Sequence, residues 1–223
     1  MPASARSPRT GRVLRLERGG GDAAARSLSD EELVDRFEQG DACAVDALYD
    51  RLIGVVDGTL YRILGRREQD HADLVQSSFE QIVLTLTHRR YARACGLAAW
   101  AAAITSHVAL KALRSRINER RVVERPQRRD SLLPEPVAAD DVEREVSTRR
   151  AFEQLRAHLA DMDPAKAVTV FLHDGLGHDL AEVAALTDVS VAAAQSRLVR
   201  GRQELRLRMS RPPQPPTRER RNP

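Results

Sequence analysis

Residues 179–206 read DLAEVAALTDVSVAAAQSRLVRGRQELR and decide the fold of the C-terminal half. Asp179 and Glu182 have the spacing of a capping box, and the apolar residues among and after them predict a helix of about two turns. The next four residues predict a tight turn, in which Asp188 can adopt the left-handed conformation and Ser190 can cap a second helix. Two helices joined by so short a turn cross steeply, as in a helix-turn-helix.

The second of these helices has one apolar and one polar, basic face. Val191, Ala194, Leu198 and Leu205 are predicted to hold it to the core. Gln and Arg can each form two hydrogen bonds to one base edge, and Ser and further Arg side chains can bind phosphates. Taken alone, the same pattern also fits a solvated face on a plain helical hairpin. The candidate DNA-contacting residues are Gln195, Ser196, Arg197, Arg200 and Arg202.

Outward from this motif, the chain divides into two predicted helical domains. Asp163 and Pro164 predict the N-cap and first turn of another helix. The C-terminal domain, which contains this helix and the helix-turn-helix, is predicted to span residues 146–209. Residues 126–145 contain three prolines, mixed charge and few large apolar side chains, which predicts a flexible linker. Residues 210–223 are rich in Pro and Arg and are predicted to be a disordered tail.

The N-terminal half follows the same helical pattern. Residues 28–125 are predicted to form a first domain, which opens with a capping box at Ser29 and Glu32 and has a break between helices at Gly40. Residues 1–27 are basic and Gly-rich and are predicted to be a disordered arm. The fold class expected is therefore all-α, with two small helical domains joined by a flexible linker and a helix-turn-helix in the second.

The composition indicates a folded helical protein with a polyanionic partner. Aromatic residues make up only 4% of the 223 residues, and Ala, Leu and Arg are abundant, which favours helices. Lys and Arg number 36 against 32 Asp and Glu, for a net charge of +4. A net positive charge is typical of proteins that bind nucleic acid, although the distribution of the charges along the chain is more informative than their sum.

Several classes of protein are not expected. No apolar stretch approaches the roughly 20 residues of a membrane helix and the N-terminus lacks a signal-peptide core, so a cytoplasmic protein without membrane insertion is expected. Cys43 and Cys95 lack the spacing of a zinc site, and the six histidines form no metal motif. No nucleophile with a local base, phosphate loop or cofactor fingerprint occurs. We therefore expect no metal, no cofactor and no enzymatic activity.

The C-terminal motif resembles the carboxy-terminal domain of bacterial RNA polymerase sigma factors. The match runs from Leu159 through Ala-Asp-Met-Asp-Pro to the segment Ser196-Arg197-Leu198-Val199-Arg200-Gly201-Arg202-Gln203-Glu204-Leu205-Arg206. The resemblance implies that the second helix of the motif recognises the minus-35 promoter element. Ala193 stands where the family usually has Thr, and the loop before Asp179 is about two residues longer than is usual.

The segment Asp73-Leu74-Val75-Gln76-Ser77-Ser78-Phe79 resembles the sigma-factor segment that binds the polymerase clamp. Two earlier short motifs, Gly40-Asp41 and Ala47-Leu48-Tyr49, also match that family. By spacing alone, the segment is an ordinary amphipathic helix with Phe79 on its apolar side. The resemblance implies core-polymerase contacts by Asp73, Leu74, Gln76 and Phe79.

The next predicted helix carries a core face beside a basic face. Trp100 lies on the apolar face and is predicted to be a core residue rather than a stacking platform. In sigma factors this region captures the minus-10 element, but His107 stands where the family usually has Asn, and Lys111 where Asp is common. A solvated charged helix is the alternative. The residues assigned to minus-10 DNA are His107, Lys111, Arg114 and Arg116.

Both predicted domains resemble the sigma family in the family's order, with a short tether between them. The chain is thus similar to the extracytoplasmic-function group of the sigma-70 family. The resemblance implies a sigma factor that binds core RNA polymerase and promoter DNA, with an anti-sigma factor as a further partner. The alternative is a stand-alone helix-turn-helix regulator that binds DNA without polymerase.

Overall fold

The computed structural model describes residues 28–124 and 140–210. The predicted arm, residues 126–139 of the predicted linker and the predicted tail beyond Ser210 lie outside the described residues. The described residues contain no β-strand, which confirms the all-α prediction. Their helices are α1 (Asp30–Glu38), α2 (Ala42–Leu64), α3 (His71–Thr87), α4 (Leu97–Glu124), α5 (Asp140–Asp161), α6 (Pro164–Val170), a π-helical segment (Phe171–Gly175), α7 (Leu180–Leu186) and α8 (Val191–Met209).

Helices α1, α6 and α7 begin where the polar residues of the sequence predict. The Ser29 hydroxyl accepts a hydrogen bond from the backbone N–H of Glu32 at 3.2 Å, and the Glu32 carboxylate accepts one from the Ser29 N–H at 2.9 Å. Asp179 and Glu182 form the same reciprocal pair at the start of α7. Asp163 caps α6 by accepting from two backbone N–H groups. These side chains satisfy donors that have no partner within the helix.

Helices α1–α4, here called the first module, enclose an apolar core. Trp100 is 8% exposed and packs with its ring against Tyr91, at 4.9 Å between ring centroids, so its prediction as a core residue is confirmed. The exposed side chains of α3 and α4 are thereby held on a rigid frame. The large side chains that are fully buried there are Leu33, Val34, Leu48, Leu52, Val56, Leu60, Ile82, Leu86 and Leu97.

Helices α5–α8, here called the second module, begin earlier than the sequence pattern predicts. Helix α5 starts at Asp140, so residues 140–145 of the predicted linker are helical. The last proline of that stretch is Pro136, and no residue that breaks a helix follows it. The apolar core of the second module is continuous with that of the first module. No helix in the described part of the chain is long and apolar enough to span a bilayer.

Helix α8 is held to α6 by a glycine that the apolar pattern did not show. Val191 is 49% exposed, so its predicted core position is wrong, whereas Ala194 and Leu198 are buried as predicted. Gly201 continues their row at the i, i+4, i+7 spacing and is itself buried. A Cβ on Gly201 would lie 2.6 Å from Cγ2 of Val170. The absence of a side chain thus allows the close approach of α6 and α8.

Gly201→Ala should destabilise the fold by about 1–3 kcal/mol, because the new methyl group must displace the short, branched Val170. This loss outweighs the gain of up to about 1 kcal/mol that Ala brings to a helix interior. Gly54 is the matched control, since it lies inside α2 with open space around its Cα. Urea unfolding should show a lower midpoint for Gly201→Ala and a higher one for Gly54→Ala. A higher midpoint for both would contradict the close approach.

The connection between α2 and α3 is fixed by a carboxylate on α2. The Asp57 Oδ1 accepts a hydrogen bond from Arg67 Nε at 3.1 Å and lies 2.7 Å from His71 Nε2. The hydrogen bonds from Arg67 and then from His71 lower the pKa of Asp57 from 3.8 to about 2. Because His71 opens α3, this cluster sets the position of the first turn of α3.

Asp57→Asn should lower the free energy of unfolding at neutral pH, because the ionised carboxylate binds its two partners more strongly than an amide does. A carboxyl with a lowered folded-state pKa stabilises the fold above its unfolded pKa and loses that contribution as pH falls toward the folded value. The stability difference between wild type and variant should therefore persist down to about pH 5 and shrink between about pH 4 and about pH 2. Urea titrations at several pH values measure it, and a difference independent of pH would contradict the assignment.

Candidate nucleic-acid interface

The predicted polymerase residues lie on three sides of α3. Asp73 and Gln76 are exposed on its outer face, and Gln76 Nε2 donates to Glu80 Oε1 at 2.9 Å. Leu74 and Phe79 are half-buried and flank that outer face on opposite sides. The structure therefore brings Asp73 and Gln76 together and places the two apolar residues at the borders.

Two further side chains extend this face and were not found from the sequence. Tyr49 of α2 lies against Phe79, at 4.6 Å between ring centroids, and remains 47% exposed. Leu84 lies three helical turns beyond Asp73 on the outer side and is 49% exposed. The signal for Leu84 was available, because it is an apolar residue in the polar stripe of an amphipathic helix. Aromatic and apolar side chains exposed beside polar ones are typical of protein interfaces.

A groove of about 690 Å³ separates α3 from α4. Leu74 of the predicted polymerase set and the predicted DNA residues His107 and Lys111 all line this groove. Desolvation by neighbouring groups lowers the pKa of His107, although the residue is exposed. The ring is therefore neutral at pH 7 and can both donate and accept a hydrogen bond, while Lys111 supplies a cation one turn away.

Arg114 and Arg116 point to different sides of α4. Residues two apart in a helix are rotated by roughly 200°, so only Arg114 shares the side of His107. Arg116 is 15% exposed at its side chain and forms ion pairs with Glu68, at 3.2 Å, and with Asp70. The structure thus separates Arg116 from the other residues predicted for minus-10 DNA and engages it with the loop that precedes α3.

Arg114 is half-buried and already has protein partners. Its Nε donates to the carbonyl oxygen of Ala160 at 2.8 Å, and its Nη2 donates to that of Met162 at 3.0 Å. Both acceptors belong to the second module. The residue predicted to contact minus-10 DNA therefore lies at the junction of the two modules.

The turn between α7 and α8 has the predicted geometry. Asp188 adopts a φ of 52°, and the Ser190 hydroxyl accepts from the Ala193 N–H at 3.2 Å, which confirms both predictions. Two of the predicted minus-35 residues, Gln195 and Ser196, are exposed in the first two turns of α8. Arg200 is exposed one turn further on, and Arg197 is half-buried at the border of this surface. Within the described part of the chain, Arg200 has no ion-pair partner.

Arg202 differs from the other predicted minus-35 residues because it binds protein. Its Nε donates to Asp174 Oδ2 at 2.9 Å, and its Nη2 binds Oδ1 of the same carboxylate. The hydrogen bond from Arg202 lowers the pKa of Asp174, and the same contact raises the pKa of Arg202. His173 also contacts both side chains. Arg202 therefore ties α8 to the π-helical segment, a role that the sequence pattern did not show.

Arg202→Ala should lower the melting temperature, because it removes a two-point contact between α8 and the π-helical segment. The loss should be roughly 1 kcal/mol or less, since the pair is partly exposed. Arg200→Ala is the matched control on the same helix and should leave the melting temperature unchanged. Thermal unfolding followed by circular dichroism measures both variants. Equal melting temperatures for the two variants would contradict the structural role of Arg202.

Comparisons with known proteins match part of the first module to a protein family, and most of the chain to one relative. The family described as Sigma-70 region 2 matches residues 48–118, which extend from α2 through α3 into α4. RNA polymerase sigma factor CarQ of Myxococcus xanthus is 29% identical over 177 residues, which cover 78% of this chain and 93% of the relative. Residues 48–118 thus match the sigma-70 region 2 family, and the chain is similar over most of its length to an RNA polymerase sigma factor. The matched region contains the predicted polymerase and minus-10 residues.

A solved structure gives a further comparison for this chain. The structure of CnrH in complex with the cytosolic domain of CnrY aligns with a TM-score of 0.45 and 22% sequence identity. The alignment covers 80% of this chain and 95% of that chain.

Within residues 28–124 and 140–210, no group of three or more His, Cys, Asp or Glu side chains could hold a metal ion.

Proposed function

We propose that this chain is an RNA polymerase sigma factor, which binds core RNA polymerase with the outer face of α3 and contacts promoter DNA with α4 and α8. The observation that carries the proposal is the exposure of Asp73 and Gln76 on the helix within the matched region. Their neighbours Phe79, Tyr49 and Leu84 add apolar area at the border. A polar centre with aromatic and aliphatic borders suits a protein partner better than it suits solvent.

The proposed minus-35 surface is the first half of α8. Gln195, Ser196 and Arg200 are exposed there, and Asp188 and Ser190 fix the turn that presents them. A helix entering the major groove contacts base edges through residues near its N-terminus. We assign base contacts to Gln195 and Arg200 and phosphate contacts to Ser196 and Arg197. Arg202 stabilises this part of α8 through its contact with Asp174 of the π-helical segment.

The proposed minus-10 surface is the edge of α4 that faces the groove. His107 and Lys111 line the groove, and Arg114 follows on the same side of the helix. A neutral imidazole can recognise a base edge by hydrogen bonds, and the ammonium group of Lys111 can neutralise a phosphate. This combination differs from the Asn and Asp usual in the family, so we propose a different base preference at the minus-10 element.

A stand-alone helix-turn-helix regulator is the second candidate function. The region-2 match and the similarity to CarQ favour the sigma factor, because a regulator of that kind needs no polymerase-binding helix. We further propose an anti-sigma factor as a partner, as the family resemblance implies. Such a partner has to cover the outer face of α3 or the groove beside α4 to prevent assembly with polymerase. The proposed activity takes place in the bacterial cytoplasm, where promoter DNA and core polymerase are found.

Asp73→Arg tests the proposed polymerase surface. The substitution reverses the charge at the centre of the outer face of α3, and it should abolish co-elution with core polymerase that lacks sigma. Glu31→Arg is the matched control, because Glu31 is also an exposed acid in the first turn of a helix. Both variants lose the same favourable interaction with a helix N-terminus, so they should have similar stability. Size-exclusion chromatography with core polymerase measures binding, and run-off transcription from genomic fragments measures function.

Wild type and Glu31→Arg should co-elute with core polymerase and give new promoter-specific transcripts. Asp73→Arg should give neither, while keeping its helical circular dichroism spectrum. If all three proteins ignored polymerase but shifted duplex DNA, the stand-alone regulator would replace the sigma factor as the better account. If Asp73→Arg and Glu31→Arg bound polymerase equally well, the contact would not lie on α3.

A further inference from the structure

The second module covers part of the face of α4 that carries Arg114. The two carbonyl groups that accept from Arg114, those of Ala160 and Met162, lie at the C-terminal end of α5. Carbonyl groups at a helix C-terminus have no partner within the helix and gain a donor from outside. The guanidinium group thus caps a helix of the other module, and two of its donors are committed there.

A second arginine on the same side of α4 makes an ion pair across the junction. Arg121 follows Arg114 by seven residues, which is two helical turns. Its Nη1 and Nη2 donate to the two carboxylate oxygens of Asp161 at 2.9 and 2.7 Å. These hydrogen bonds lower the pKa of Asp161 and raise that of Arg121. A two-point pair of this kind fixes the orientation of both groups.

A third arginine makes the reverse contact, from the second module to the first. Arg156 of α5 donates from Nε to the carbonyl oxygen of Ile63 at 3.0 Å, near the C-terminal end of α2. Its guanidinium group lies directly on Gly65, where a Cβ would collide with it. Gly65 has a φ of +80°, which glycine adopts without strain. The turn after α2 is therefore shaped to receive Arg156.

Apolar side chains fill the space between these polar contacts. Leu110 and Leu113 of α4 and Leu159 and Met162 of the second module are all buried. Burying one such side chain stabilises a fold by about 1.5–3 kcal/mol relative to leaving it exposed. The junction thus combines a buried apolar core shared by both modules with hydrogen bonds and an ion pair from three arginines.

We propose that this junction is a closed state of the sigma factor, in which the second module and DNA phosphates compete for Arg114 and Arg121. The proposal rests on the proposed function, since α4 is the helix assigned to minus-10 DNA. Each guanidinium group commits two of its five N–H donors to the junction, so it has to release these partners before a phosphate can bind it with its full set of donors. Only the open fraction of molecules then binds DNA with full strength, so closure lowers the apparent affinity.

The double variant Arg156→Ala, Asp161→Ala tests the closed state. It removes two contacts of the junction and leaves Arg114 and Arg121 in place. Its net charge equals that of wild type, because one basic and one acidic residue are lost. Arg150→Ala is the control on the exposed part of α5. The single variant Asp161→Asn is the milder alternative, because it changes only the charge of the Arg121 partner.

The distance between the modules is the first readout. Spin labels are attached to Cys43 and to an introduced Ala181→Cys, both exposed, in a chain that also carries Cys95→Ser. Double electron–electron resonance on the free protein should give one narrow distance distribution for the wild-type junction and for Arg150→Ala. The double variant should give a broad distribution at longer distances, and Asp161→Asn should give a mixture of the two.

DNA affinity is the second readout, with a fluorescent single-stranded oligonucleotide of mixed sequence as the probe. If about nine in ten wild-type molecules are closed, opening should raise the affinity about tenfold. Each arginine that is released to a phosphate should also steepen the dependence of log K on log salt by about 0.7, or about 1.4 for both. Fluorescence anisotropy over a series of salt concentrations measures both quantities.

A wild-type distance distribution as broad as that of the double variant would overturn the closed state. A double variant that opens without any gain in affinity or salt dependence would overturn the competition for the two arginines. The distance readout needs neither polymerase nor DNA, so its failure is distinct from failure of the proposed function. A narrow wild-type distance in a chain that ignores polymerase would support closure and contradict the proposed function.

Discussion

Helix α4 packs both against the core of its own module and against the second module, and this double packing determines the rest of the structure. On one side, Trp100 and Leu97 join α4 to the core of the first module. On the other side, Leu113 and Arg114 join it to α5 and α6. A single helix therefore supplies core for both modules and also carries the edge assigned to DNA. Any movement between the modules changes what surrounds Arg114.

The helices and their ends could be predicted from the sequence because their signals are local. The capping pairs at Ser29 and Asp179 and the left-handed turn at Asp188 depend on residues within four positions of each other. Helix α5 begins at Asp140 and not at the predicted boundary at residue 146, because the last residue that interrupts a helix there is Pro136. Local sequence patterns thus predict the positions of helices more accurately than they predict the ends of linkers.

The partners of the basic side chains could not be predicted, because they come from distant parts of the chain. Arg116 is engaged by Glu68 and Asp70, which lie more than 40 positions away, and Arg202 is engaged by Asp174, 28 positions away. A stripe of arginines looks the same in sequence whether it is solvated, paired or bound to DNA. The close packing at Gly201 could not be predicted either, because glycine has no side chain and does not contribute to a pattern of apolar residues.

In the proposed closed state, one arrangement of α4 holds the free chain together, and a second, open arrangement serves polymerase and promoter DNA. Hydrogen exchange of the free chain and of its complex with core polymerase tests it most directly, because amide protection reports local opening. We expect α3 to gain protection in the complex, and the C-terminal turns of α5 to lose protection as they leave Arg114. Unchanged exchange in α3, or full protection of α5 in the complex, would contradict it.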